Sequence, residues 1–398
     1  MKWASTLSRR SAAAEAFAES AEAVERQLAG SSPDLLLAFA SPDHAAACPE
    51  LASLATRRFP RALLVGCTGG GVIGGAHEAE DGPALSLTAA SLPGVALEGF
   101  HVETASLPNA AADAAAWRSL CGVTPADGPK LLILSDPFTM DPHALISGLD
   151  RAYRGAPKFG GLASGGRRPG ENRLLLGSEV HRSGAVGVAF SGDVAVETVI
   201  AQGCRTIGKP MLVTRCRDGL LQQLDRGTPV RVLTELYGTL SERDRELVQT
   251  SLFLAIDMRE DRIEYDPSEF LVRNILGADE ESGALAVGAE LRPMQVVQFA
   301  LRDARTAEED LQRLLDRQRH AATGARPAGA LLFSCLGRGA GLFGRPDHDT
   351  DLFEQKLGPA PLGGFFCNGE IGPVQGTTFL HGYTSAFGIF RERAAARR

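Results

Sequence analysis

The residues best suited to chemistry lie near the end of the chain, at the exits of two apolar runs. Cys335 and Arg338 follow the run GALLFS, and Asn368 and Glu370 follow the glycine-rich run GGFFC. The carboxyl end of a buried strand is where α/β sheets commonly hold ligands, because backbone amides are free there. These four side chains are therefore the first candidates for a site.

The types of these side chains suit a zwitterionic ligand. The guanidinium of Arg338 can form two parallel hydrogen bonds to a ligand carboxylate, and Glu370 can accept an ammonium group. The amides of Gly339 and Gly369 would complete the contacts to the ligand. A second interpretation stays open, in which Arg338 and Glu370 pair with each other and brace two loops.

Cys335 is also a candidate nucleophile, since a thiolate beside Arg338 gains from positive charge and His348 or His381 could act as a base. The alternative is that Cys335 is a small buried apolar residue, as free cysteines on strands usually are. The sequence has no H-x-x-x-H, H-E-x-x-H or G-x-S-x-G pattern, so we predict neither a metal site nor a serine hydrolase.

Three similar units supply the elements that position these residues. Each has a helical stretch, a buried apolar strand, a second helix and a strand that ends in a glycine turn, at 66–75, 160–170 and 363–373. In each unit we compare the separation between a leucine in the middle of the buried strand and a glycine of the turn. It is 30 residues in the first unit (36 to 66), 28 in the second (132 to 160) and 31 in the third (332 to 363). This spacing indicates an internal repeat. Cys67 and Thr68 of the first turn join the predicted ligand-binding residues.

Further runs of strand-like residues follow each turn, so parallel and antiparallel pairing must occur together. The predicted fold is α/β of the mixed α+β kind, with two lobes of repeated strand-helix-strand-strand-strand units and helices covering mixed sheets. A helix is predicted over Ala12–Gly30, and a capping box is predicted at Thr306 and Glu309. Residues 251–277 read as a degenerate fourth copy.

Composition excludes several classes of protein. The net charge of -7 argues against a nucleic-acid binder, and seven widely spaced cysteines argue against a disulfide framework. No apolar run is long enough for a signal peptide or a membrane span, so we expect no membrane association and a cytoplasmic location. The glycine turns lack the lysine and the acid of nucleotide-binding fingerprints. No cofactor is predicted.

The glycine turns and their flanks resemble the FIST family, the F-box and intracellular signal-transduction proteins. The motifs that carry the resemblance lie between residues 63 and 373. They are LLVGCTGGGVIG, FGGLASGG, QGCRTIGKPMLVT, LLFSCLGRGAGLFG and GGFFCNGEIGP. The last two are the most specific, because they combine Cys, Arg, Asn and Glu with fixed glycines.

The resemblance implies a division of the chain and a function. The implied division is a FIST N-terminal domain (31–210) and a FIST C-terminal domain (211–392). The residue pattern adds an N-terminal helix (1–30) before them and a basic tail (393–398) after them. The implied function is a stand-alone sensory or signalling protein that binds a small ligand such as an amino acid and acts through a separate signalling protein. Two alternatives stay open, a protein-protein adaptor and an enzyme that uses Cys335.

The resemblance also assigns site residues. It carries over the candidates in the last two motifs and adds residues of the motif QGCRTIGKPMLVT. The residues carried over are Cys335, Arg338, Asn368 and Glu370, and those added are Gln202, Cys204 and Arg205.

Overall fold

A computed structural model of the chain describes residues 1–109, 112–257, 270–321 and 326–393. It divides into two compact units. The first unit contains 1–200 and 312–398, and the second contains 201–311. The predicted basic tail lies outside the described residues from 394 onward.

The first unit contains three repeats of one order of elements: strand, helix, strand, helix, strand, hairpin, strand. The first repeat comprises β1 (Lys2–Ser8), α1 (Ala13–Leu28), β2 (Leu35–Ala40), α2 (Cys48–Arg58), β3 (Leu63–Thr68), the hairpin β4 (Val72–Gly74) and β5 (His77–Ala79), and β6 (Leu85–Ser91). The second comprises β7 (Val95–Val102), α3 (Ala114–Arg118), β8 (Lys130–Ser135), α4 (Pro142–Ala152), β9 (Lys158–Leu162), the hairpin β10 (Leu174–Leu176) and β11 (Glu179–His181), and β12 (Ala185–Gly192). Short 3₁₀ helices lie at Pro42–Ala47, Thr104–Ser106 and Pro125–Asp127.

The second unit is inserted into the third repeat. This repeat opens with β13 (Val194–Ala201) and resumes, after the insertion, in the helix α7 (Ala304–Ala321). The inserted elements are β14 (Cys204–Arg217), β15 (Leu220–Leu224), α5 (Pro229–Thr239), α6 (Glu242–Thr250), β16 (Leu252–Asp257), β17 (Phe270–Ala278), β18 (Leu285–Val287) and β19 (Val296–Arg302). The repeat then completes with β20 (Gly329–Cys335), α8 (Ala340–Phe343), α9 (His348–Leu357), β21 (Leu362–Cys367), the hairpin β22 (Glu370–Val374) and β23 (Thr377–His381), and β24 (Ser385–Glu392).

Each repeat forms the centre of one six-stranded sheet and gives its hairpin to another sheet. The strand orders are β1-β6-β2-β3-β10-β11, β7-β12-β8-β9-β22-β23 and β13-β24-β20-β21-β4-β5. The central pairs β2/β3, β8/β9 and β20/β21 are parallel, and each is flanked by antiparallel strands. The predicted mixed α+β fold with an internal repeat is confirmed.

The glycine turns are the corners at which the chain leaves one sheet and enters another. The turn after β3 leads from the first sheet to the third, and the other two turns move in the same cyclic sense. The strands before and after the short turn at Pro93–Gly94, β6 and β7, also lie in different sheets. These consecutive strands therefore do not pair with each other as a hairpin, despite their short connection.

Apolar side chains from all three sheets meet in one core. Phe390 of the third sheet packs edge-on against Phe159 of the second, and Phe39 of the first stacks on Phe365 of the third. Helices cover the outer faces, and α1 buries the apolar stripe predicted between Ala12 and Gly30, including Phe17. The strand β1 before it was not predicted.

The second unit is a closed barrel with the strand order β14-β15-β18-β17-β16-β19. Strands β16 and β17 pair antiparallel, so the predicted fourth copy over 251–277 is wrong. The intervening residues 258–269 lie outside the described residues. The predicted boundary at 210/211 separates two family segments and not two compact units. The compact units have other boundaries and do not test it, so it stays a prediction.

The N-terminus of α7 also differs from its prediction. The helix begins at Ala304, before Thr306, and the backbone N–H of Thr306 donates to Asp303 Oδ1 at 2.9 Å. An aspartate directly before the first helical residue is a good cap, so Asp303 replaces the predicted Thr306 and Glu309 capping box.

Glycine is required where the parallel strands approach each other most closely. A Cβ at Gly364 would lie 1.8 Å from the carbonyl oxygen of Leu332, and Gly66 and Gly160 would meet backbone oxygens at 1.9 Å. Gly364 also has φ +150°, which L side chains rarely adopt. The invariant feature of the repeat is therefore a glycine in the middle of its third strand.

We predict that Gly364→Ala lowers the free energy of unfolding by about 3 kcal/mol or more, because the rigid neighbouring backbone must move. The matched control is Gly170→Ala, which has φ +80° but no atom within 4 Å of the new Cβ. It should cost about 1–2 kcal/mol from backbone strain alone. Urea unfolding of both variants measures the difference, and equal losses would contradict the close approach of β20 and β21.

Candidate functional site

The three glycine corners meet one another through a closed set of backbone hydrogen bonds. Ser164 N–H donates to Thr68 O at 3.1 Å, and Phe366 N–H donates to Gly71 O at 2.9 Å. Leu162 N–H donates to Gly369 O at 2.8 Å. Each corner thus contacts the other two.

The side chain of Ser164 completes this meeting point. Gly70 N–H donates to Ser164 Oγ at 2.8 Å, and Ser164 Oγ donates to the carbonyl oxygen of Phe366. One buried hydroxyl therefore contacts the first and the third corner at once. Leu336, which is 47% exposed, lies over Gly70, where an added Cβ would meet it at 2.6 Å.

Arg338 follows Leu336 by two residues and is fully buried. Its Nε and Nη2 donate to the two carboxylate oxygens of Asp349 at 2.8 and 2.9 Å, and its guanidinium carbon lies 5.2 Å from the ring centre of Phe343. These contacts correct an expectation from the sequence. The forked contact of Arg338 is with Asp349 of α9, and it is made neither with a ligand nor with Glu370.

One donor of this guanidinium is left over. Nη1 of Arg338 is shielded from solvent and has no hydrogen-bond partner among the described residues. Burial opposes the charge, but Asp349 outweighs burial and holds the pKa of Arg338 above its ordinary value. The negative forms of Cys335 and Glu370 act in the same direction, which puts both groups within electrostatic range of Arg338.

Asp349 is the centre of a buried polar cluster. It accepts from Arg338, its Oδ1 lies 2.9 Å from His348 Nδ1, and Ser334 Oγ donates to its Oδ2 at 3.4 Å. Burial raises the pKa of Asp349, but Arg338 and His348 outweigh that effect and hold it well below the usual range. Asp349 is therefore ionised across the neutral range.

Two further carboxyl groups reach this cluster from the hairpin β4–β5, and sequence reasoning missed both. Glu78 accepts from Thr350 N–H at 3.1 Å, and Glu80 accepts from Ala340 N–H at 2.8 Å. Burial, followed by the charge of Asp349, raises the pKa of Glu78 to about 8. Burial also raises the pKa of Glu80. The sequence around Glu78 and Glu80 gave only a weak signal, because their hairpin comes close to Asp349 only when it joins the third sheet in the folded protein.

The residues after β21 differ in exposure. Asn368 is exposed, whereas Glu370 is fully buried and accepts from Thr384 N–H at 3.1 Å. Gly369 has φ +147°, and an added Cβ would meet Leu162 at 3.1 Å. Gly339 precedes α8, and an added Cβ there would meet the Glu80 carboxylate at 2.3 Å.

The remaining predicted residues do not join this cluster. Cys67 is buried in the shared apolar core, where burial raises its pKa, and Thr68 Oγ1 accepts from Arg173 N–H at 3.1 Å. Arg205 lies in the second unit and pairs there with Asp244 and, at 3.5 Å, with Asp303. Cys67 is thus a core residue and Arg205 an internal ion pair.

The two histidines considered as bases have other contacts. His348 stacks on Phe343 at 3.4 Å and faces Asp349, while His381 Nε2 lies 3.0 Å from the carbonyl oxygen of Gly372. Cys335 is half-buried, and Gly337 N–H donates to its Sγ at 3.5 Å. Among the described residues, no three His, Cys, Asp or Glu side chains are grouped so that they could hold a metal ion.

Family models identify the relationship of the chain. The FIST N domain matches residues 34–226, and the FIST C domain matches residues 229–373. The chain belongs to the FIST family. It is 36% identical over 385 residues to an uncharacterised protein of Mycobacterium tuberculosis strain H37Rv, which covers 96% of each chain. It is 35% identical over 382 residues to an uncharacterised Mycobacterium bovis protein, covering 95% of this chain and 96% of the relative.

Solved structures show only a distant likeness to this FIST protein. A cyanuric acid hydrolase from A. caulinodans matches 98% of this chain and 100% of its own, with 10% identity and a TM-score of 0.37. A second cyanuric acid hydrolase structure matches with a TM-score of 0.33. Across the described part of the chain, no helix has the length and apolarity needed to cross a membrane.

The raised pKa of Glu78 predicts a pH-dependent stability. Between about pH 4.5 and 8 the folded chain holds a proton on Glu78 that the unfolded chain has released, so stability falls as pH rises. The slope from this group is at most about 1.4 kcal/mol per pH unit. Glu78→Gln should flatten it in urea unfolding at several pH values. The exposed control Glu15→Gln should keep the wild-type slope, and an unchanged slope in Glu78→Gln would contradict the assignment.

Proposed function

We propose that this FIST protein is a sensory protein that binds a small polar metabolite where the three glycine corners meet. The observation that carries the proposal is Nη1 of Arg338, which has no hydrogen-bond partner among the residues that the structure describes. A buried cationic donor without a partner is costly, and an anionic group of a ligand would satisfy it. Asp349 holds the guanidinium in place, so this donor is already oriented before a ligand arrives.

The surrounding groups support a ligand that carries both charges. A ligand carboxylate would accept from Arg338 Nη1, and an ammonium group would face Glu370, whose charge already acts on Arg338. The exposed amide of Asn368 would contact the polar remainder of the ligand. Amino acids have this arrangement of charges and are the first class to test.

Access to Arg338 requires a local movement. The segment 336–339 carries Arg338 and contains Gly337 and Gly339, the latter at φ +66°. Glycines lower the cost of changing the backbone here. Displacement of Leu336 from Gly70 would then accompany binding, which gives a sensor a change of surface that a separate signalling protein could recognise.

Two other functions remain alternatives with distinct outcomes. An adaptor would bind a partner protein without any metabolite. An enzyme would use Cys335 as a nucleophile, for which the nearby positive charge of Arg338 is favourable. The half-buried position of Cys335 allows a small reagent to distinguish these functions.

We predict that a specific amino acid or related metabolite raises the thermal stability of the wild-type chain. At a concentration one hundredfold above Kd the gain is about 2.7 kcal/mol. Asn368→Ala and Arg338→Lys should reduce the shift, because the first removes an exposed amide contact and the second keeps the charge but loses Nη1. Differential scanning fluorimetry against a metabolite panel measures the shift.

The matched control for this screen is Asn274→Ala, which removes an exposed amide from the second unit. It should respond like wild type. If Arg338→Lys does not fold, Asn368→Ala alone still tests the site. Absence of any shift across the panel, or equal shifts in all variants, contradicts the proposed site.

A further prediction concerns the thiol of Cys335. The metabolite found in the screen should slow alkylation of Cys335 by iodoacetamide, measured by mass spectrometry, because it occupies the space beside the guanidinium. Cys204, which is also half-buried but lies in the second unit, is the internal control. Equal protection of both cysteines would indicate general stabilisation, and a Cys335 thioester or thioether with the metabolite would favour the enzyme.

A further inference from the structure

The barrel of the second unit contains a cavity of about 310 Å³ beside the helix α5. Small-molecule sites in proteins are commonly clefts of roughly 300–1,000 Å³ with apolar walls and a few polar groups. This cavity is partly open to solvent and is lined by residues of β14, β19, α5 and the loop before α5. They are Ile207, Gly208, Lys209, Met211, Arg226, Val232, Glu235, Leu236, Thr239 and Phe299.

A break in strand pairing forms the edge of the cavity. Ile207 pairs with Phe299 and Met211 with Val297, so three residues of β14 lie opposite Gln298 alone. Gln298 Nε2 donates to Gly208 O at 2.9 Å, and Pro210 has no N–H to offer to the neighbouring strand. Bulges of this kind redirect side chains and often lie beside sites. Here the bulge carries Lys209 to the edge of the cavity.

The walls of the cavity are apolar and largely buried. Ile207, Met211, Val232 and Phe299 are each less than a tenth exposed and belong to the barrel core. Leu236 adds the part of the wall that comes from α5. A hydrocarbon chain or a ring would lose its contact with water here without any polar group of the protein losing a partner.

The edge of the cavity has an excess of positive charge. Glu235, the acidic residue of the lining, accepts from Arg231 Nη1 at 2.8 Å. Asp225 accepts from Leu212 N–H at 3.2 Å. In the described part of this unit, no acidic side chain pairs with Lys209 or with the guanidinium of Arg226.

We propose that this cavity binds a small apolar monocarboxylate. Its hydrocarbon part lies against Met211, Val232 and Phe299, and its carboxylate lies between Lys209 and Arg226. A cationic or neutral head group on the same hydrocarbon would gain nothing at this edge. The site lies wholly within 201–311 and stands or falls independently of the proposed site in the first unit.

Calorimetric titration of the full chain with octanoate, below its micelle concentration, tests the proposal. Octanoate should bind saturably and about fivefold or more tightly than octan-1-ol, and octylamine should bind more weakly still. Lys209→Ala and Arg226→Ala should each weaken octanoate binding by about fivefold and leave octan-1-ol binding unchanged. That divergence distinguishes the loss of a charged contact from the loss of fold.

Two further variants complete the test. Thr239→Trp places a large ring at the exposed edge of the cavity and should abolish binding of both octanoate and octan-1-ol. Arg217→Ala removes an exposed cation that is not part of the lining and should bind octanoate like wild type. No saturable binding of octanoate, equal affinity for octan-1-ol, or full binding in Thr239→Trp would each overturn the proposal.

Discussion

The meeting of three corners around the Ser164 hydroxyl is the constraint on which the first unit depends. Three chain segments approach there closely enough for their backbones to bond to one another, and Ser164 connects Gly70 with Phe366. Only glycine fits at several of these positions, because an added Cβ would reach a neighbouring backbone or ring. The glycine turns therefore serve mainly to let the three chain segments pack together. A ligand site can form only on the part of their surface that this packing does not bury.

The exchange of hairpins has an electrostatic consequence. Sheet three receives the hairpin of the first repeat, and with it Glu78 and Glu80, beside the Arg338–Asp349 pair. Several carboxyl groups are thus gathered near Asp349. Arg338 keeps Asp349 ionised, while burial and the charge of Asp349 raise the pKa of Glu78. Buried ion pairs are weak sources of stability but hold their members in fixed positions. Fixed orientation of Arg338 is what a binding site needs.

The cavity proposed in the barrel differs chemically from the site proposed in the first unit. In the first unit the candidate groups are buried, charged and connected to one another, so a ligand would complete an existing polar network. In the barrel the candidate space is apolar with a positive edge, and a ligand would mainly be removed from water. The contrast follows from architecture, because three sheets converge on polar corners, whereas a closed barrel and one helix leave an apolar gap at a bulge.

Local patterns in the sequence determined the elements and the repeat. Several features depend only on neighbouring residues and can be read locally. They are the apolar runs of strand length, the apolar stripe around Phe17, the glycines near positions 66, 160 and 364, and the position of Cys335 at the end of its strand. Resemblance between motifs added the family. Only the tertiary structure decided which hairpin joins which sheet. It also decided that Asp349 pairs with Arg338, and that Glu78 lies near Asp349 although the two are 271 residues apart in the sequence. Partners so distant along the chain are chosen by packing, and no local spacing encodes that choice.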